Sequence, residues 1–135
     1  MRLVVDTNRI IAALIKDSIS RKIIFHLNAQ LIAIPLLKEE VLKHKSIIVE
    51  KAALSETTFD LILQKLYENM DGLDEEIPKK YREEAAKIMD KIDPDDTQFI
   101  AAALATNSDI WSDDTHFTKQ NKVKVWTTKE LIKSL

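Results

Sequence analysis

Carboxylates stand directly after two apolar runs of this chain. Asp6 follows "RLVV", and the adjacent pair Asp113 and Asp114 follows "DIWS", with His116 two residues further on. A strand that ends in an acid delivers it to the edge of the sheet where α/β proteins gather ligands. Asp6 also has a competing local role, capping the helix that Thr7 and Asn8 begin, which Asp, Thr and Asn all do well. Two adjacent carboxylates at a turn cannot point the same way, so at most one of Asp113 and Asp114 faces a site and the other is solvated. Trp111, just before them, is expected in the core rather than against a base. In "DPDDTQF" (93–99), Asp93 suits an N-cap, Pro94 the first helical position, and Asp95 and Asp96 the positive end of the helix dipole. Capping needs only one of these three acids. Asp96 leads "TQFIAAALA", whose alanines let the helix lie close against a sheet.

Helical geometry separates Glu39 from Glu40. At about 100° per residue, the apolar direction set by Leu36, Leu37, Val41 and Leu42 averages about 120° from Leu36; Glu39, at about 300°, points away, while Glu40, at about 40°, lies on the flank of the buried face. A carboxylate there is costly unless something compensates it. Hard divalent ions such as Mg2+ and Mn2+ prefer oxygen ligands and retain waters, so acids gathered in a cleft are their natural site. Without a cation, the converging charges would repel and raise one another's pKa values.

The elements that must position these residues follow from periodicity. Short apolar runs at 2–6, 31–34, 109–112 and 123–126 read as strands, and helical patterns fill the stretches 8–16, 20–30, 36–54, 55–70, 81–92 and 95–106. Strands alternating with helices imply parallel βαβ units with both faces of the sheet covered. "GLDEEIP" (72–78) is expected to be a linker or a short edge strand. No repeat or domain boundary interrupts the chain, so residues 1–135 are expected to form one domain.

Composition narrows the function classes. The net charge of −2 offers no global field for nucleic acid, so any polyanion needs local positive charge, which a bound metal can supply. The single glycine, Gly72, excludes Gly-rich phosphate loops. No apolar run approaches the roughly 18 residues of a membrane span, and no export segment is evident. A chain without cysteine fits the cytoplasm and has no thiolate metal site.

In order and spacing, "VVDTN", "PLLKEEVLKH", "DPDDTQFIAAAL" and "IWSDDTHF" resemble the motifs of the PIN-domain family over nearly the entire chain. The resemblance implies a three-layer α/β/α sandwich with a central, mainly parallel sheet. It also implies metal-dependent phosphodiester hydrolysis on single-stranded RNA, or on flap-like nucleic acid in some branches, with Asp6, Glu40, Asp96 and Asp114 as the acidic quartet holding one or two Mg2+ or Mn2+ ions. Thr7, Asn8 and Ser112 match small polar residues that organise the site, and Asp93 an additional acid seen in many relatives. Where several members carry a further Asp, this chain has His116, which fits either substrate phosphate or a local helix-start or packing role. Small relatives include toxins paired with an antitoxin protein as well as RNA-processing enzymes, and many form homodimers, for which the apolar helices at 47–70 offer a surface. Arg9, Lys16, Lys38, Lys43 and Lys119 lie near the motifs and could line a strand path.

Two rival readings compete. An aspartyl-phosphate phosphatase needs a second Asp two residues after the first, where Asn8 stands. A PIN-fold binding or scaffold module with little cleavage is the non-enzyme alternative, and the presence of all four acids weighs against it.

Overall fold

The first apolar run forms the middle of the sheet. In the computed structural model, which describes residues 1–16 and 18–135, strand β1 (Arg2–Val5) carries Leu3, Val4 and Val5 without exposed surface. A strand apolar on both sides belongs inside a parallel sheet. It is flanked by β2 (Gln30–Ala33) and β4 (Asp109–Trp111), with β3 (Asp71–Gly72) and β5 (Val125–Trp126) at the edges. The order is β3-β2-β1-β4-β5 and every pairing is parallel, with Leu3 opposite both Leu31 and Asp109. Of the segment expected as a linker or short edge strand (72–78), only Gly72 belongs to a strand, the two-residue edge strand β3.

Helices cover the sheet on both sides. Between β1 and β2 run α1 (Thr7–Ile15) and α2 (Ile19–His26). The stretch after β2 divides into α3 (Pro35–Lys43), α4 (Lys45–Ala52) and α5 (Glu56–Glu68). α3 and α4 meet at His44, and Ala53 ends α4 in the left-handed region at φ 53°. The return from β3 to β4 uses α6 (Lys79–Met89), a 3-10 turn at Pro94–Asp96 and α7 (Thr97–Thr106). α7 is the alanine-rich helix, and with Phe99, Ile100, Ala101, Ala102 and Ala103 all buried it packs on α6, β1 and β4. A second 3-10 helix (Thr115–Lys119) follows β4, and α8 (Thr128–Ile132) closes the fold against α2.

This is the expected α/β/α arrangement, and its winding places the site. From β1 the chain winds one way to β2 and β3, then returns to the other side of β1 as β4. Ligands in such sheets bind beyond the strand ends where the winding reverses, here between β1 and β4. No helix among the described residues is long and apolar enough to cross a membrane.

Candidate metal centre at the β1 and β4 strand ends

Asp6 and Asp96 both occupy N-cap positions, of α1 and α7, yet neither side chain makes a capping hydrogen bond. Side-chain capping therefore does not account for these two acids. The Asp6 backbone N–H donates to the carbonyl of Trp111 (3.1 Å), which ties the end of β1 to β4. Its carboxylate, on a residue 5% exposed, accepts a 2.7 Å hydrogen bond from the Ser112 hydroxyl. Burial raises the Asp6 carboxyl above the usual carboxylate range, and the nearby Asp114 charge adds to this. The Ser112 hydroxyl in turn accepts from the Asp114 backbone N–H at 3.0 Å. One buried hydroxyl thus sets the position of two acids from opposite ends of the sequence.

Asp96 is the most perturbed of the acids. Burial first, then repulsion from Asp93, Asp6 and Asp114, pushes its carboxyl up to about 7. Its Oδ2 is buried without a hydrogen-bond partner. A buried acceptor left unpaired is expensive and calls for an explanation, such as an ion. Glu40 behaves as the wheel predicts: it is half-buried while Glu39 is exposed, and its Oε1 accepts from the Thr7 hydroxyl at 2.7 Å. Asn8 is exposed.

Asp114 begins the 3-10 helix by accepting from the His116 backbone N–H at 2.9 Å. That turn brings the His116 ring into the acidic cluster, where Nδ1 lies 2.8 Å from Asp93 Oδ2, 3.6 Å from Asp114 Oδ1 and 3.9 Å from Asp96 Oδ2. Asp93 also caps the turn as expected, accepting from the Asp95 N–H at 3.0 Å. Among the described residues, the three potential ligands whose atoms all lie within 4.8 Å of one another are Asp93, Asp96 and His116, and no three members of the quartet meet that spacing. The donors gathered here, mostly carboxylate oxygens with one of them buried and unpartnered, suit a divalent cation.

A family model for the PIN domain matches residues 4–135. The chain belongs to the PIN-domain family. The match spans every element that carries the candidate site, from β1 to α8. A chain in the crystal structure of VapBC2 from Rickettsia felis, bound to a DNA fragment from their promoter, superimposes with a TM-score of 0.70. The superposition covers 94% of this PIN domain and 98% of that chain at 14% identity, so the likeness is one of fold. No curated protein sequence matches the chain.

Two residues read from the sequence have partners in this PIN domain that the sequence did not announce. Asp113 is exposed, as expected of the solvated neighbour of Asp114, and is also held in place. It pairs with the Arg9 guanidinium at 2.6 Å and accepts from both the backbone N–H and the hydroxyl of Thr128, at 2.7 Å each. Arg9, expected on a strand path, is occupied by this brace, with a further hydrogen bond to Thr128 Oγ1 at 3.2 Å. The brace fastens α8 beside the site. Nothing in the sequence pointed to Thr128, although "TTKE" does announce the capping box of Thr127 and Glu130 that starts α8.

The Ser112 contact can be tested alone. Ser112→Ala removes the bond that orients Asp6, and outer-shell partners of this kind are worth about 10–100-fold in metal affinity or activity. Mn2+ titration calorimetry should show weakening in that range, with an unchanged circular dichroism spectrum.

Proposed function

We propose that this PIN domain is a divalent-metal-dependent endoribonuclease that cuts single-stranded RNA in the cytoplasm, as the toxin of a toxin–antitoxin pair. The observation that carries the metal-dependent chemistry is the unpartnered, buried oxygen of Asp96 beside Asp6 and Asp114 at the winding reversal. Asp6, Glu40, Asp96 and Asp114 would hold Mg2+ or Mn2+, which supplies activation of water and stabilisation of charge on the phosphate. The chain's own residues do the positioning. Ser112 fixes Asp6, Thr7 fixes Glu40, and the brace of Arg9, Asp113 and Thr128 holds the segment that presents Asp114. The toxin role rests on the likeness in fold to a chain of VapBC2, and Ile47 on α4 and Leu61 on α5, both 53% exposed, give an antitoxin or a second copy an apolar surface.

Local positive charge offsets the mildly acidic whole. Lys87 on α6 and Lys91 in the turn that follows it line a groove of about 410 Å³ with Lys119 and Lys122. Lys119 ends the 3-10 helix that carries His116, and Lys91 lies two residues before Asp93, so both are linked through short segments to the acidic cluster. Of the lysines singled out by sequence, Lys119 is the one in this groove, and Lys43 lines a separate one with Glu40 and Gln98. In the Asp6→Asn background, replacing Lys119 and Lys122 together by Glu should weaken RNA binding and flatten its dependence on log salt by about 1.4, from roughly 0.7 per phosphate contact on a single strand. Filter binding across a salt series measures both.

The deciding experiment is cleavage of a defined single-stranded RNA by the purified chain with Mn2+, with chelator, and beside Asp6→Asn and Asp114→Asn. Cleavage by the wild type alone, abolished by chelator, is the expected result. Metal binding without cleavage of RNA or DNA, or equal cutting by both variants, overturns the reading.

A further inference from the structure

We propose that Asp93, Asp96 and His116 form a mixed nitrogen and oxygen cation site that takes a first-row transition ion in preference to Mg2+. The inference rests on the metal-dependent reading above and assigns His116, which that reading leaves without a role. His116 Nδ1 is surrounded by three carboxylate oxygens, from Asp93, Asp114 and Asp96, at 2.8, 3.6 and 3.9 Å. Of the three, only Asp93 Oδ2 lies within hydrogen-bonding distance of Nδ1. Asp114 Oδ1 has its own donor in the His116 backbone. Asp96, on a residue 9% exposed, keeps its Oδ2 buried and unpartnered. A cation between these atoms engages Nδ1, Asp93 Oδ2 and Asp96 Oδ2 together.

The spacing agrees with such a site. Neighbouring ligands of an octahedral ion at about 2.1 Å lie about 3 Å apart, with opposite ligands about 4.2 Å apart. The three ligand atoms here all fall within 4.8 Å of one another, with edges of 2.8 and 3.9 Å from Nδ1. Chemistry decides the ion. Mg2+ takes oxygen ligands and dehydrates reluctantly, whereas imidazole nitrogen favours first-row transition ions. An acid in place of His116 would leave an all-oxygen site without that bias.

Mn2+ serves as the probe because its electron spin echo reports directly bound nitrogen. The full-length protein loaded with Mn2+ should show imidazole nitrogen coupling. His116→Asp should still bind Mn2+ but lose the coupling, and the ratio of Mn2+ to Mg2+ affinity measured by calorimetry should fall by at least the roughly tenfold that altering even an outer-shell partner costs. His26 and His44 remain in that variant and control for binding elsewhere. Mn2+ bound without nitrogen coupling in the wild type, or coupling that survives in His116→Asp, overturns the inference. If that bound Mn2+ is nevertheless lost in Asp96→Asn, the all-oxygen nuclease site stands without it. A wild type that binds no Mn2+ overturns both.

Discussion

Asparagine in place of Asp96 should make the metal-free protein more resistant to heat at pH 8 while silencing it as a nuclease. The folded-state carboxyl titrates at about 7, against an ordinary value of 3.8, because it is buried among other acids. The raised value fixes the sign. Between those two pH values the folded chain holds a proton that the unfolded chain has released, so the group's contribution is fully present below 3.8 and is lost as pH rises through 7. At about 1.36 kcal/mol per pH unit, the loss for the metal-free protein is at most on the order of 4 kcal/mol, and solvent screening lowers it. An amide carries no charge to desolvate or repel. Calorimetric melts in chelator should show the wild type losing stability from pH 4 to pH 8 relative to Asp96→Asn. Mn2+ should then raise the melting temperature of the wild type alone. Parallel melting curves for the two proteins across pH would refute the idea that a charge is being confined. A residue that stabilises when neutralised and disables when neutralised is the expected signature of a site built for a cation.

Trp111→Ala should be the most damaging single change in the core. Trp111 has no exposed surface and heads the largest fully buried side chains, and its Nε1 donates to the Thr128 hydroxyl at 3.1 Å. Removing a buried aromatic of this size costs about 3–5 kcal/mol, a large share of the 5–15 kcal/mol that stabilises a typical domain. Trp111→Phe keeps most of the bulk and loses the hydrogen bond, so its cost should be nearer 1 kcal/mol. Urea titration of the two variants separates these contributions. Similar midpoints would mean that the indole N–H, rather than the packed ring, accounts for the role of Trp111.

What the sequence made legible was local. Strand ends were readable because "RLVV" and "DIW" are apolar on both faces and stop at acids, and Glu40 was separable from Glu39 because helical phase is a property of neighbours. The turn at 93–96 was readable for the same reason: Asp93 and Pro94 are a start signal wherever they occur together. Partnerships across the chain left no such trace. Arg9 and Asp113 are 104 positions apart, and nothing local to either announces the other. The edge strand β3 consists of two exposed residues, too few for any periodicity to register. His116 was ambiguous because its role depends on a 3-10 turn, which rotates its ring toward Asp93, and single-turn geometry is below what patterning resolves.

The pairing of β1 with β4 also bears on when the candidate centre can form. During synthesis, Asp6 and Glu40 leave the ribosome early, but the hydroxyl that orients Asp6 belongs to Ser112, and Asp96 and Asp114 arrive late as well. No shorter nascent chain can assemble the centre, because the sheet's middle pair closes only once β4 has emerged. Under the proposed activity, a translating ribosome carries an inert precursor until Ser112 and Asp114 are out, an interval in which a partner already present could bind first.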